Sequence, residues 1–352
     1  MKRIAYIDLL RTIAIFLVVL CHATESVYSL NLDYISSISF CSKIFCFFTF
    51  TAGRLGVPIF LLITGYLLLD RECNTETVFI FYKKNWLPLY LCTLFWLAIY
   101  DIFLTFYHSC DELNLLVFIK DILFIHNVKM SHVWYMPIIL GIYPLLPFVS
   151  KALHAFDKKT LRFPIIFYGF YTFGYLLLNI VNHIYCPQMP LSLQISVGFS
   201  GGYYGIYLIF GYLIKQGSFK RLQKSVLLWI FIISFVSGVF LQIWSYTHGY
   251  AYNIWYDYPF LLFESVAFFE MVTRIKDILC IDLWLKLSQS AFGIFLTHNI
   301  VCYIVVDNCV CLKTIPPLGV CVLWVIVVLI SYWAVWIIAQ IPQIGKILLN
   351  MK

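Results

Sequence analysis

The sequence predicts an all-α protein, a polytopic membrane bundle of about ten transmembrane helices with both termini in the cytoplasm. Three observations carry this. The chain is 62% hydrophobic and 12% charged, with a mean hydropathy of +0.89, where soluble domains run about 25% charged and 45–50% apolar. Apolar runs of about 20 residues recur along the 352 residues, the length at which a helix crosses about 30 Å of hydrocarbon. Basic residues gather in every second gap between those runs. Only helices and closed barrels satisfy the backbone in lipid, and barrel strands need about 9–11 residues, so these runs are too long for strands.

The first run, 5–28, follows Met1-Lys2-Arg3. That start resembles a signal peptide, but the run passes 20 residues and lacks a small-residue cleavage site, so it is expected to remain as the first helix. The second run, 44–69, contains "AGRLGVPIFLLITGYLLL" (52–69). It is long for one straight span, and Gly53, Gly56 and Pro58 predict a break inside it, with freed backbone groups turned into the bundle. The third, 86–107, is opened by "KKNWLPLY" (83–90), two lysines and a proline. Next comes "LLVFIKDILFI" (115–125), too short to span and carrying Lys120 and Asp121, hence an interfacial helix on the outer side. The fourth, 132–150, begins at "SHVWYMP" (131–137), and the remaining spans are 163–183, 197–214, 225–246, 254–273, 287–306 and 316–342.

With ten spans, Lys43, Lys120, Lys129 and Lys313 fall on one side and Arg11 and Arg54 fall within spans, which leaves 18 of the 24 basic residues on the other side with both termini. The positive-inside rule assigns that side to the cytoplasm, and the location is a cell membrane, plasma or inner. The net charge of +7 is explained by these anchors, and no nucleic-acid partner is expected. No domain boundary, tandem repeat or low-complexity tract interrupts 1–352, which is one domain. The twelve cysteines form no zinc-type CxxC pair, and no metal is expected. They suit small apolar packing positions. Cys186, Cys309 and Cys311 fall outside, where a disulfide from Cys186 to one of the other two is left open.

The informative residues are the polar ones inside spans, since an ionisable group at membrane depth is costly and faces protein or water. Arg11 and His22 are eleven residues apart in the first span. Eleven steps of about 100° make three turns plus about 20°, so both lie on one stripe about 16 Å apart along the axis. Arg11 is in the inner half and His22 in the outer half. Arg54 stands near the outer part of the second span, Lys84 at the cytoplasmic start of the third, and His132, Trp134 and Tyr135 at the outer start of the fourth. Glu264 and Glu270 share one span, and His298 and Asn299 sit mid-helix in "SQSAFGIFLTHNIV" (288–301). Plainer readings exist for each: snorkelling for Arg11, anchoring for Lys84, an aromatic belt for Trp134 and Tyr135, core packing for the histidines.

Taken together, "IDLLRTIAIFLVVLCHA" with its R-x10-H pair, "GVPIFLLITGYLL", the basic-x-x-x-P start of the third span, "HVWYM" and "SAFGIFLTHN" resemble the acyltransferase 3 family of membrane-bound acyltransferases. The resemblance is clearest over 5–300. It implies transfer of an acyl group, often acetyl from acetyl-CoA, to a hydroxyl of an extracytoplasmic glycan or lipid-linked saccharide. Arg11 and His22 match the family's functional pair. Lys84 stands where arginine is commoner, and Thr64 where serine is common. The tenth span is expected to close the domain, without the extracytoplasmic esterase-like domain that some members carry.

The residues suit that chemistry. Histidine, with an ordinary pKa of about 6.5, serves as general base at neutral pH. Glu25, one turn on, can orient His22 if it turns inward. Arg11 can hold the phosphate or pantetheine end of the donor. The expected catalytic residues are therefore His22, Arg11 and Glu25. Arg54, Lys84, His132, Trp134, Tyr135, Glu264, His298 and Asn299 are expected to bind donor or line the cavity. Acetyl-CoA or another acyl-CoA enters as co-substrate with no bound cofactor, and direct and relayed transfer both remain open. The rival reading is a transporter or flippase for a lipid-linked saccharide. Transporters often pair broken helices in inverted repeats, and the Gly53–Pro58 break has no clear partner, although "VGFSGGYYG" (197–205) is glycine-rich.

Overall fold

The computed structural model is an all-α polytopic membrane bundle. It describes residues 3–108, 115–124, 131–157, 159–186, 191–193, 195, 202–341 and 343–350, and no strand occurs among them. The chain runs α1 (Ala5–Val27), α2 (Leu32–Ser37), α3 (Phe40–Arg54), α4 (Gly56–Leu68), α5 (Thr75–Phe81), α6 (Leu87–His108), α7 (Leu115–Ile122), α8 (Tyr135–Ile142), α9 (Leu146–Ala155), α10 (Arg162–Gly169) and α11 (Tyr175–Tyr185). It continues through α12 (Gly202–Lys215), α13 (Lys224–Thr247), α14 (Pro259–Thr273), α15 (Ile281–Asn308), α16 (Pro316–Ala339) and α17 (Ile344–Leu348).

Eight helical stretches among the described residues are long and apolar enough to cross a membrane. They correspond to eight of the ten expected spans. The other two, expected at 197–214 and 254–273, are represented by α12 and α14, of 14 and 15 residues. Both are shorter than the roughly 20 residues of a straight span. Residues 197–201 lie outside the described residues, as do Lys129 and the last residue of the expected interfacial helix, whose described part is α7. Ahead of α14 the chain is not helical. Tyr252, Ile254, Tyr256 and Tyr258 are all buried and alternate with more open positions, in an irregular segment that turns at Tyr256–Asp257 and is covered by protein. Non-helical backbone is tolerated at such depth where the bundle covers it.

The third span also differs from expectation. Helix begins at Thr75 rather than 86, passes through a π-helical turn at Tyr82–Trp86 and continues as α6. Pro88 explains the irregular turn, because it has no N–H to give to the preceding turn and its ring crowds the carbonyl there.

Helix α1 is the hub, packed against α3, α4, α15 and α16. The predicted break is real. Helix α3 stops at Arg54 and α4 restarts at Gly56, with Leu55 between them. Two glycines there let the backbones close up, as small residues do between membrane helices. A Cβ on Gly53 would lie 2.6 Å from the Cα and N of Cys21, and one on Gly56 would lie 2.5 Å from the Ala14 carbonyl oxygen. These contacts place the break beside the middle of α1, so the residues after Cys21 and Gly53, His22 and Arg54, become neighbours.

Gly53→Ala is therefore expected to be damaging, since the clash is with backbone that cannot swing away. Overpacking of this kind costs about 1–3 kcal/mol. Gly141→Ala in α8 has open space around it and serves as control. Thermal unfolding of both proteins in detergent checks this, and a Gly53→Ala protein as stable as Gly141→Ala would contradict the close packing.

Candidate active site

His22 is held from one side. The Glu25 carboxylate accepts a hydrogen bond from its Nδ1 at 2.8 Å, so the Nδ1 position carries the proton and Nε2 keeps a lone pair. One helical turn separates the two residues, which is the reach that lets them meet. Arg54 donates to the other Glu25 oxygen at 3.0 Å. Its guanidinium also lies 4.5 Å from the ring centre of Phe50 and 4.7 Å from that of Trp255, and its Nη1 is 3.4 Å from the Tyr256 hydroxyl. An arginine that is 6% exposed needs such a setting. The carboxylate supplies the opposite charge and the aromatic faces replace part of the lost hydration. Helix α3 ends at Arg54 because of the break, which lets this side chain turn toward α1.

Two further histidines complete a triangle with His22. The ring centres are 5.2 Å apart for His22 and His298, 5.1 Å for His132 and His298, and 6.4 Å for His22 and His132. Hydrogen bonding fixes their tautomers. Tyr100 gives its proton to the Leu296 carbonyl, so its oxygen accepts from His132 Nε2 at 2.9 Å. His132 Nδ1 then accepts from the Asn299 amide at 2.7 Å. Both nitrogens of His132 are occupied, which makes it a fixed wall rather than a base. His298 gives its Nδ1 proton to the carbonyls of Ile294 and Phe295 at 3.0 and 2.7 Å, and its buried Nε2 has no hydrogen-bond partner among the described residues. Among the described residues no three His, Cys, Asp or Glu side chains are placed to hold a metal ion.

A cavity at the basic end and a niche of only about 10 Å³ at His22 share a wall. The cavity, of about 600 Å³, is lined by Arg11, Thr64, Arg71, Asn85 and Tyr143, and otherwise mostly by apolar side chains, among them Val18, Phe60, Met136 and Phe292. The niche is lined by His22, Arg54, His132, Trp134 and Tyr256. Val18, Val57, Tyr135 and Phe295 line both. Arg11, Val18 and His22 recur at seven and four residues on α1, one face of the helix, and that face runs from the cavity into the niche. On the far side of the niche Trp134 stacks near Trp255, Tyr256 and Tyr204, with ring centres 5.1, 5.2 and 6.0 Å away.

Most of the residues singled out in the sequence thus converge: Arg11, His22, Glu25, Arg54, His132, Trp134, Tyr135, His298 and Asn299 line these spaces or touch a residue that does. Two do not. Lys84 is exposed and lines neither space, while its neighbour Asn85 does. The π-helical turn sets this phase, which a plain helix count misses. Glu264 is 1% exposed, lines neither space, and its carboxylate has no hydrogen-bond partner among the described residues. Glu270 pairs with Arg274 at 2.7 Å instead. Cys186, Cys309 and Cys311 are all unbonded, so the disulfide left open above is not formed. Sequence reasoning missed Tyr100, Tyr256, Trp255 and Arg71. The first three are lost among 25 tyrosines and 10 tryptophans, and Arg71 was counted as a membrane anchor.

Against known proteins, a family model described as an acyltransferase domain matches residues 4–338. No curated protein and no solved structure matches the chain.

Proposed function

The chain belongs to the acyltransferase 3 family, and from that premise we propose that this membrane acyltransferase carries acetyl from cytoplasmic acetyl-CoA to a hydroxyl of an extracytoplasmic or lipid-linked saccharide. Both termini are cytoplasmic in this reading, in a plasma or inner membrane. The observation that carries it is the single stripe of α1, which runs from Arg11 in a long, mostly apolar cavity to the free Nε2 of His22 in the adjoining niche. An acyl-phosphopantetheine arm is slender, uncharged along its two amides and anionic at its far end. Such a ligand suits a cavity with arginines at one end and a base at the other.

The transfer is direct. The acceptor hydroxyl gives its proton to His22 Nε2 as its oxygen forms a bond to the thioester carbonyl carbon. The carbon–sulfur bond then breaks, and the proton on Nε2 passes to the leaving sulfur. Glu25 faces the imidazolium that forms between the two steps and stabilises it, as a carboxylate does behind a catalytic histidine. Arg54 donates to Glu25 and keeps it aimed. The Trp134, Trp255 and Tyr204 rings offer flat apolar faces to a sugar ring on the acceptor side.

The test is chemical. Protein in lipid nanodiscs is expected to release free CoA from acetyl-CoA, faster with acceptor, and mass spectrometry of surface glycans from cells with and without the chain should show an acetyl group lost in its absence. Unchanged glycans together with no acetyl-CoA binding would overturn the reading.

A further inference from the structure

Arg11 and Arg71 line two cavities. Besides the one that adjoins the His22 niche, a second of about 480 Å³ opens at the basic end and shares Arg11, Leu67 and Arg71 with the first. The two differ in character. The first is mostly apolar beyond its arginines, whereas the second adds Arg3 and Lys215, so that four cations face two carboxylates. Those carboxylates are already engaged. Asp8 accepts from Arg3 Nε and from Ser288, each at 2.9 Å, and Asp70 accepts from the Gln216 amide at 2.6 Å. Lys215 has no carboxylate partner among the described residues. Its ammonium lies 4.9 Å from the ring centre of Tyr66.

The proposed donor divides in the same way. A CoA thioester has an uncharged pantetheine arm, a diphosphate at the end of that arm, and beyond it an adenosine with a 3′-phosphate. With the thioester at His22 and the arm in the first cavity, the diphosphate reaches the shared arginines, and the second cavity adjoins them to take the nucleotide. We propose that this second cavity seats the 3′-phosphoadenosine end of the donor, with Lys215 as the main contact for the 3′-phosphate. The protein then discriminates CoA thioesters from dephospho-CoA and pantetheine thioesters. This rests on the donor assigned under the proposed function and adds a specificity to it. Lys215 is favoured over Arg3 because Arg3 is already committed to Asp8 and to the Ile281 carbonyl, whereas an ammonium held only by an aromatic face gains most from a phosphate.

The experiment compares acetyl-CoA with acetyl-dephospho-CoA in nanodiscs of phosphatidylcholine alone. Loss of one charge-assisted phosphate contact is expected to raise KM about tenfold with little change in kcat. Lys215→Met should raise KM for acetyl-CoA by a similar factor, leave that for acetyl-dephospho-CoA unchanged, and so bring the two donors together, while Lys215→Arg should keep most of the difference. Adenosine 3′,5′-bisphosphate should compete with acetyl-CoA, and adenosine 5′-monophosphate should compete far less. Equal KM values for the two donors in the unaltered protein would overturn the proposal, whether or not Lys215→Met folds. Competitive inhibition by added phosphatidylglycerol that disappears in Lys215→Met would overturn it too, by assigning the cavity to a lipid phosphate. Failure to use either thioester would instead remove the donor reading itself.

Discussion

His22→Gln is expected to lower acyl transfer by about 10²–10⁴-fold, the range over which a positioned general base acts, in a protein that still folds and still binds donor. Glutamine fits the space, and its amide can donate to Glu25 as Nδ1 does now at 2.8 Å. It cannot take a proton from a hydroxyl. The loss should therefore fall on kcat, with donor KM nearly unchanged because Arg11 and the apolar cavity are untouched. The measurement is steady-state release of CoA with saturating acceptor, beside gel filtration and thermal unfolding in detergent. A glutamine variant within a few-fold of normal kcat would mean that another group takes the proton, and the niche would lose its assigned base.

The second large effect is on stability. Arg54→Met should destabilise the protein by about 1–3 kcal/mol, the cost of leaving a partly buried polar partner unsatisfied. Arg54 is 6% exposed and packed among Phe50, Trp255 and Tyr256. Its removal leaves Glu25, half-buried and still bonded to His22, without its cation. Adding Glu25→Gln should recover much of that stability, because the uncompensated charge is then gone. It should not recover turnover, because His22 no longer faces a carboxylate. This separation of stability from activity is the informative outcome, read from thermal unfolding and from kcat on the same preparations. Equal stability of Arg54→Met and the unaltered protein would show that Glu25 and Arg54 are not balancing one another.

The sequence made the membrane character and much of the site legible, for definite reasons. Lipid forbids unsatisfied backbone, so spans announce themselves by length and hydropathy. It also penalises stray charge, so Arg11, His22 and His298 stand out against an apolar background. Helical phase then joined Arg11 to His22 without coordinates. The Gly53–Pro58 break was readable because glycine and proline act locally. What escaped was set by distant contacts. Tyr100 matters because α6 and α8 bring it to His132, and nothing beside Tyr100 in the chain records that meeting. Lys84, expected just ahead of the third span, stands exposed in a π-helical turn because helix already begins at Thr75. The span expected at 254–273 starts later, at Pro259, since hydropathy windows respond equally to a helix and to a buried irregular segment such as 252–258.

The short helix α14 has a consequence for how the chain is made. It holds two acidic residues in fifteen, and a charged group at the centre of an inserting helix costs about 2.5–3.5 kcal/mol at the translocon. Glu270 softens this by travelling with Arg274, already paired one turn away. Glu264 has no such companion, and alone α14 would partition poorly into lipid. It packs chiefly against α13, with further contact to α4 and α12, and α13 is long and strongly apolar. Biogenesis therefore has an order built into it: α14 is retained by a hairpin with the helix made just before it, and it becomes secure only when the earlier half of the bundle closes around its carboxyl group.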